Sequence, residues 1–262
     1  MLVPEDHPRA ESLRIREKII EGMHNSIVAE AGLIAHGRGE AFDYIIGEKT
    51  PEFALKQQEA AVAFLLLAEK PVISVNGNVA ALCSKEIVEL AELVEASIEI
   101  NLFYRKSDRE KAIERVLEEA GCTEILGIDP VYHTYISELS HLRRIVDKRG
   151  IFSADVVLVP LEDGDRTMAL RKMGKNVISI DLNPLSRTSL WSNITIVNNV
   201  IRAVPEMIEK AKELKTKDNL DLNKIVANFN NFNSLKETLS ELSKRLEELA
   251  KGELKDPTKK MK

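Results

Sequence analysis

Asp155-Val156-Val157-Leu158-Val159-Pro160-Leu161-Glu162-Asp163-Gly164-Asp165, followed by Asn176-Val177-Ile178-Ser179-Ile180-Asp181-Leu182-Asn183, is the stretch that decides the fold. Each half starts as a β-branched run of the kind buried on both faces of a parallel sheet. Each then stops abruptly in acids, amides and glycine that no core would hold. Pro160 closes the first run because proline cannot continue a ladder. Between them residues 166–173 read as a helix ending at Gly174. A third run, Ile194-Thr195-Ile196-Val197, ends at Asn198-Asn199, with Pro205 early in the following helix. In open α/β sheets ligands bind beyond the carboxyl ends of the strands, where the loops share one crevice and helix N-termini present free N–H groups. Three such ends gather here, in a pattern that suits a phosphorylated or nucleotide ligand.

Upstream the pattern repeats. Residues 71–75, 97–102 and 124–128 read as strands, separated by helices over 84–94 and 107–120. Thr50-Pro51 is placed to cap a buried helix through residue 69, and Ser107 with Glu110 has the form of a capping box. Six strands alternating with helices imply right-handed crossovers and a mainly parallel sheet, an α/β chain. Almost every strand exit is polar: Asn76 and Asn78, Asn101, Asp129, Glu162 and Asp163, Asp181 and Asn183, then Asn199. Turns alone favour Asn, Asp and Gly, so the functional signal lies in their joint placement on one edge.

Helical segments flank this unit. An apolar periodicity runs over residues 9–30 and carries Arg9, Arg14 and Arg16, which a solvated face would also explain. The segment Gly37-Arg38-Gly39 reads as a turn in which the backbone approaches a ligand and the guanidinium pairs with phosphate, or as a plain turn with an exposed arginine. His36 beside it reads as a turn or core histidine. Residues 131–150 show no clear period and read as an insertion or lid. A helix over 201–214 runs into a polar break at 215–219. A last helix over 234–251 opens with a Ser234–Glu237 capping box. Leu235, Leu239, Leu242, Leu246 and Leu249 recur on it at four-three spacing, a seam that docks on its own core or pairs with a second subunit. Residues 255–262 read as a solvated end. The division expected is 1–215 for the α/β unit with its N-terminal helix and 216–262 for a helical tail that dimerises.

Composition removes other classes. With 262 residues, 44% hydrophobic, 30% charged and a net charge of -5, the chain is globular and lacks the basic footprint that nucleic acid requires. The longest apolar run, residues 60–68, falls far short of the roughly 20 residues of a membrane helix. Two cysteines and an N-terminus without a signal-peptide pattern point to a reducing cytoplasm. No G-x-G-x-x-G follows a strand, and no Walker-type cradle, zinc spacing or G-x-S-x-G elbow occurs.

Four motifs carry a resemblance. Ala31-Gly32-Leu33-Ile34-Ala35-His36-Gly37-Arg38-Gly39-Glu40-Ala41-Phe42-Asp43-Tyr44 is the first, and Ser74-Val75-Asn76-Gly77-Asn78-Val79-Ala80-Ala81 the second. The others are Leu158-Val159-Pro160-Leu161-Glu162-Asp163-Gly164-Asp165-Arg166-Thr167 and Asp181-Leu182-Asn183-Pro184-Leu185-Ser186-Arg187. Over residues 9–204 the chain resembles the archaeal phosphopantothenate synthetases, or 4-phosphopantoate–β-alanine ligases. The resemblance implies a Rossmann-like three-layer fold, a homodimer, and ATP with Mg²⁺ carried mainly by its phosphates. The substrates implied are 4-phosphopantoate and β-alanine, on a route to coenzyme A.

The ATP contacts of that family fall here on Arg16, Arg38, Asp181, Leu182, Asn183, Arg187, Thr188, Asn199 and Val200. Activation of a carboxylate by attack on the α-phosphorus gives an acyl-adenylate and releases pyrophosphate. Arginines suit that step because they neutralise building charge. Asp181 is then expected to accept from ribose hydroxyls, and Asn199 with the Val200 backbone to read adenine. Asn76, Gly77, Asn78 and Arg105 are the candidates for the phosphorylated acid, with Arg105 holding its phosphate. Arg38, Arg105 and Asp163 are the candidate catalytic groups; Glu162, Asp163 and Asp165 remain open for the β-alanine ammonium, its proton or a magnesium ion. A phosphoryl transferase, which would release ADP, and a non-catalytic nucleotide sensor are the alternatives.

Overall fold

The computed structural model describes residues 10–253, so Arg9 and the 255–262 end lie outside the described residues. Its centre is a six-stranded sheet in which every pairing is parallel. The strands are β1 (Pro71–Val75), β2 (Ser97–Ile100), β3 (Ile125–Leu126), β6 (Val156–Pro160), β7 (Asn176–Ile180) and β8 (Ile194–Ile196), in the spatial order β3-β2-β1-β6-β7-β8. That is the order of a Rossmann sheet, with its switch point between β1 and β6. A separate antiparallel pair, β4 (His133–Tyr135) and β5 (Ile145–Asp147), precedes β6.

The period-two alternation of the strands sends side chains to two cores. Ile73 and Val75 of β1, Leu158 of β6, and Ile178 and Ile180 of β7 face one side. That side is covered by α3 (Glu52–Leu67), α4 (Gly77–Leu93), α5 (Ser107–Glu119) and α8 (Val200–Leu214), with α1 (Ala10–His24) against α4. Val72, Val157, Val159 and Val177 face the other side, against Ala169 and Leu170 of α6 (Gly164–Lys172). Ile136, Leu139, Val146 and Ile151 complete that second core. The 131–150 segment is therefore a packed cover and not a lid: its β4–β5 pair shields the half of the sheet that α6 does not reach. Alternation too short to register, three residues per strand, hid it from the sequence.

Other expectations are corrected. The glycine-rich segment is no turn but helix α2 (Glu30–Ile46), and the first helix ends at His24 instead of residue 30. Its glycines thin the helix: a Cβ on Gly32 would lie 2.3 Å from Asn78 Oδ1, whereas Gly37 meets open space. Helix α4 begins at Gly77, seven residues before the expected Ser84, with non-helical torsions at Cys83. Thr50 does not cap α3 but donates to Glu206 at 2.6 Å. Neither capping box forms. Glu110 pairs with Arg105, while the last long helix, α10 (Asn231–Glu248), is capped by Asn230.

The polar break leads into α9 (Asn219–Asn228), which packs on α3 through the buried Leu222. Helix α10 docks Leu235 and Leu242 against Ile46, Phe53 and Leu182, leaving Leu239 and Leu246 exposed. No described helix is long and apolar enough to cross a membrane.

Candidate active site

A cleft of about 600 Å³ opens at the carboxyl edge of the sheet, over the switch point. Asn76 stitches its floor. Its Oδ1 accepts from Asn78 N and Val79 N, capping α4, while its Nδ2 donates to the carbonyls of Pro160 and Leu161 across the gap. Leu161 takes a left-handed φ of 54°, a strained state for a branched residue. Gly77 has no alternative: a Cβ there would lie 2.1 Å from the Ile27 carbonyl. Asn78 donates to Gly32 O at 2.9 Å and so ties α2 to α4.

On the β7–β8 side, Asp181 leaves its strand with Oδ1 accepting from Asn183 N and Oδ2 from Ser186 Oγ at 2.5 Å. Burial pushes its carboxyl above the usual range, against the pull of Ser186, Asn183 and the Arg38 guanidinium. Ser186 caps the five-residue helix α7 (Arg187–Trp191). Thr188 donates to Glu162 O at 3.0 Å, and Arg187 pairs with Asp165 at the exposed rim. Asn199 caps α8 through Oδ1 and donates from Nδ2 to Asp43. Asp43 is held in turn by Arg202. Leu182, Phe42 and Val200 give this end an apolar lining, and the first N–H groups of α8 point out of its capped end.

Arg38 projects from α2 into the same end, exposed and without an ion pair among the described residues. His36 lies two positions before it on that helix and lines the cleft, with its pKa lowered by burial and, secondarily, by Arg16, against the pull of Glu40 and Asp43. The structure thus gathers Arg38, Asp181, Leu182, Asn183, Arg187, Thr188, Asn199 and Val200 with Asn76, Gly77, Asn78 and Asp163 around one cavity.

Two residues stand outside it. Arg16 does not line the cleft: its guanidinium grips Glu40, at 3.0 Å from Nε and 2.9 Å from Nη2. Arg105 faces away, bound to Glu110 at 2.6 Å, to Gly127 O at 2.5 Å and to His133 Nε2 at 3.1 Å.

Behind the cleft lies a buried charge chain that the sequence did not disclose. Glu162 sits between Arg143, contributed by the loop between β4 and β5, and Arg166, which is wholly buried and also donates to Ser74 Oγ at 3.1 Å. Asp163 caps α6 through Oδ1, and its Oδ2 lies 3.4 Å from Arg143. Glu99 accepts from Asp147 N and Ile151 N, and burial pushes its carboxyl up to about 7. Burial brings the Arg143 guanidinium down to about 9 and that of Arg166 to about 10. Arg109 completes the group, lining the cleft from the first turn of α5. An arginine there opposes the helix dipole, which is the one signal by which the sequence could have flagged it. Arg143 carried none.

The family model described as phosphopantothenate/pantothenate synthetase matches residues 53–245. The chain belongs to that family. It is 55% identical to a protein of Thermococcus onnurineus named 4-phosphopantoate--beta-alanine ligase over 95% of each chain. It is likewise 55% identical to the one so named in Thermococcus kodakarensis, over 95% of each chain. Identity to the one so named in Methanosarcina mazei is 51%, over 95% of this chain and 97% of that one. The cleft of this family member is lined by arginines, amides and helix N-termini.

Proposed function

We propose that this chain is an ATP-dependent ligase that condenses 4-phosphopantoate with β-alanine to 4′-phosphopantothenate, a step toward coenzyme A. The observation that carries the proposal is near-full-length identity of 51–55% to proteins named for that activity, joined to a cleft with one half fit for a nucleotide.

ATP occupies the β7–β8 half. Adenine lies among Leu182, Phe42 and Val200, read by Asn199 and the Val200 backbone, and the ribose hydroxyls donate to Asp181. Arg38 meets the triphosphate, with Arg187 at the rim. The 4-phosphopantoate carboxylate attacks the α-phosphorus; an acyl O–P bond forms, the bond to the bridging oxygen breaks, and pyrophosphate leaves. The neutral amine of β-alanine then attacks the acyl carbon, a C–N bond forms, the nitrogen gives up one proton to a carboxylate or water, and AMP leaves with the electron pair of the broken C–O bond.

Mg²⁺ enters on the phosphates of ATP. Asp163, which lines the cleft and whose Oδ2 has no hydrogen-bond partner among the described residues, is the carboxylate available to the amine, whereas Asp165 pairs with Arg187 and Glu162 is engaged by two arginines. Arg16 acts through Glu40, which lines the cleft.

The proposal extends to a cytoplasmic homodimer in which residues 1–215 carry the chemistry and 216–262 the subunit contact. The exposed Leu239 and Leu246 on α10 support it, and light scattering checks it. The test of the activity is product identity: protein with ATP, magnesium, 4-phosphopantoate and β-alanine, scored for AMP with each substrate omitted in turn. AMP that requires both organic substrates is expected. ADP turns the reading to a phosphoryl transferase, and ATP binding without turnover to a sensor.

A further inference from the structure

An asparagine that only caps a helix is replaceable by serine, threonine or aspartate, because the cap uses a single acceptor oxygen. Asn199 does more. Its Oδ1 accepts from Ile201 N at 3.3 Å as the cap of α8, and its Nδ2 donates to Asp43 Oδ2 at 2.8 Å. The second bond is not needed to hold α2 against α8, since Arg202 already reaches from α8 to both carboxylate oxygens of Asp43. What it adds is direction.

An amide can turn end for end with little change of shape, exchanging a donor for an acceptor. A carboxylate only accepts, so Asp43 holds Nδ2 toward itself and leaves Oδ1 to the Ile201 N–H. Arg202 braces the arrangement from a second side. Its Nε donates to Asn198 Oδ1 at 3.3 Å, and Asn198 takes the Asn199 N–H at 2.8 Å and donates to Thr50 Oγ1. Asp43 is 5% exposed and stands behind Asn199, against a second cavity of about 40 Å³ and not against the cleft. Asn199 borders both spaces. Two donors are then left for the cleft: the second hydrogen of Nδ2, and the N–H of Val200, which as the first residue of α8 lies outside the helical ladder. The Asn199 carbonyl is taken up by Arg202 N and Ala203 N, at 3.0 and 2.8 Å. A pair of donors matches the bare ring nitrogens of adenine. Guanine carries a hydrogen at N1, which these two groups cannot accept.

We infer that Asp43 is a positioning residue: by fixing the orientation of the Asn199 amide, it makes the nucleotide end of the cleft prefer adenine to guanine. It touches no substrate and acts through Asn199. The inference rests on the ligase reading for ATP as the co-substrate. Asp43 lies on α2, the helix that also carries Arg38, so one element both orients the reader of the base and presents a guanidinium to the triphosphate.

The experiment compares kcat/KM for ATP and for GTP in the wild type and Asp43→Asn, with thermal melting to confirm folding. Asparagine keeps the size of aspartate but can donate, so the Asn199 amide is free to reverse and turn its oxygen to the cleft. Loss of one hydrogen bond raises KM for ATP roughly 10-fold, while KM for 4-phosphopantoate stays within about threefold. Guanine gains an acceptor for its N1 hydrogen, so the preference for ATP over GTP falls by about 10-fold or more. Asp43→Asn/Arg202→Met removes both charges and carries the same test without leaving a buried cation unpaired. Asn199→Ser keeps a cap and lacks the amide; on that background Asp43→Asn leaves the preference unchanged, as a residue acting through Asn199 requires. Calorimetric titration with each nucleotide alone reads the preference without turnover, so a wild type that forms no AMP defeats the ligase reading while Asp43 is still judged. A wild type that binds ATP and GTP equally overturns the inference. So does an unchanged preference in a folded variant, which assigns Asp43 to the tie between α2 and α8, or a further fall on the Asn199→Ser background. An equal change for ATP and GTP also overturns it, as the mark of a bare change of charge beside Arg202.

Discussion

Replacing Glu162 by glutamine separates a carboxylate that holds the cleft together from one that serves a substrate. Its oxygens face Arg143 on one side and Arg166, at 2.5 Å, on the other. The two guanidiniums are 8% and 0% exposed, so water cannot replace the lost charge. Glutamine keeps the shape but leaves one cation without its main counter-ion and turns an amide N–H₂ toward the other. Breaking a buried pair in this way costs about 3–5 kcal/mol. The lower end applies, because Arg166 keeps Ser74 Oγ and the field of Glu99, and Arg143 keeps Asp163 at 3.4 Å.

For a chain of this length about 3 kcal/mol corresponds to a fall in Tm of roughly 6–12 °C. Calorimetry and a urea titration read the stability, and steady-state kinetics read KM for β-alanine in the surviving fold. If Glu162 instead served the β-alanine ammonium, the variant would melt within about 2 °C of wild type, a shift well under 1 kcal/mol, and show a raised KM for the amine. That pair of results would refute the structural role argued here.

Arg38→Ala gives the opposite signature. The side chain is exposed and has no ion pair among the described residues, so stability stays within about 0.5 kcal/mol, while loss of a charge near the triphosphate, worth about 4 kcal/mol at 4 Å before screening, lowers AMP formation by roughly 100-fold. Unaltered turnover removes Arg38 from the mechanism. Glu99 makes stability depend on pH. Its carboxyl titrates near 4.5 when unfolded and at about 7 when folded. The folded chain binds the extra proton between those values, so stability is fully present below the unfolded pKa and falls as pH rises through the folded one, by about 3 kcal/mol in all. His36, depressed by burial, works against this: unfolded chains bind its proton more readily below 6.5, so its contribution grows with pH up to that point. Comparing urea-derived stabilities of wild type and Glu99→Gln from about pH 5 to about pH 7.5 isolates the Glu99 component; parallel profiles would show that Glu99 does not titrate in this window.

The strands were legible because a parallel sheet buried on both faces demands uninterrupted β-branched runs, and Val156 to Val159 or Val177 to Ile180 fit little else. What the sequence obscured follows from two physical ambiguities. Glycine signals both a turn and a close helix contact, and in α2 the second applies: Gly32 is small because Asn78 lies against it. Charged residues in an aperiodic segment signal solvent, yet Arg143 is buried, since the neighbouring Glu162 offsets its desolvation.

The polar strand exits carry a further lesson. Asn76, Asp163, Ser186 and Asn199 each cap the helix that follows their strand. Capping and ligand binding are not rival explanations of these residues. A cap fixes the direction in which a helix presents its remaining free N–H groups, and here four caps aim four helix starts into one cleft. The side chains named from sequence are therefore mostly the frame. What this frame leaves facing the cleft are backbone amides and, among the described residues, arginines without a carboxylate partner, Arg38 at one end and Arg109 at the other.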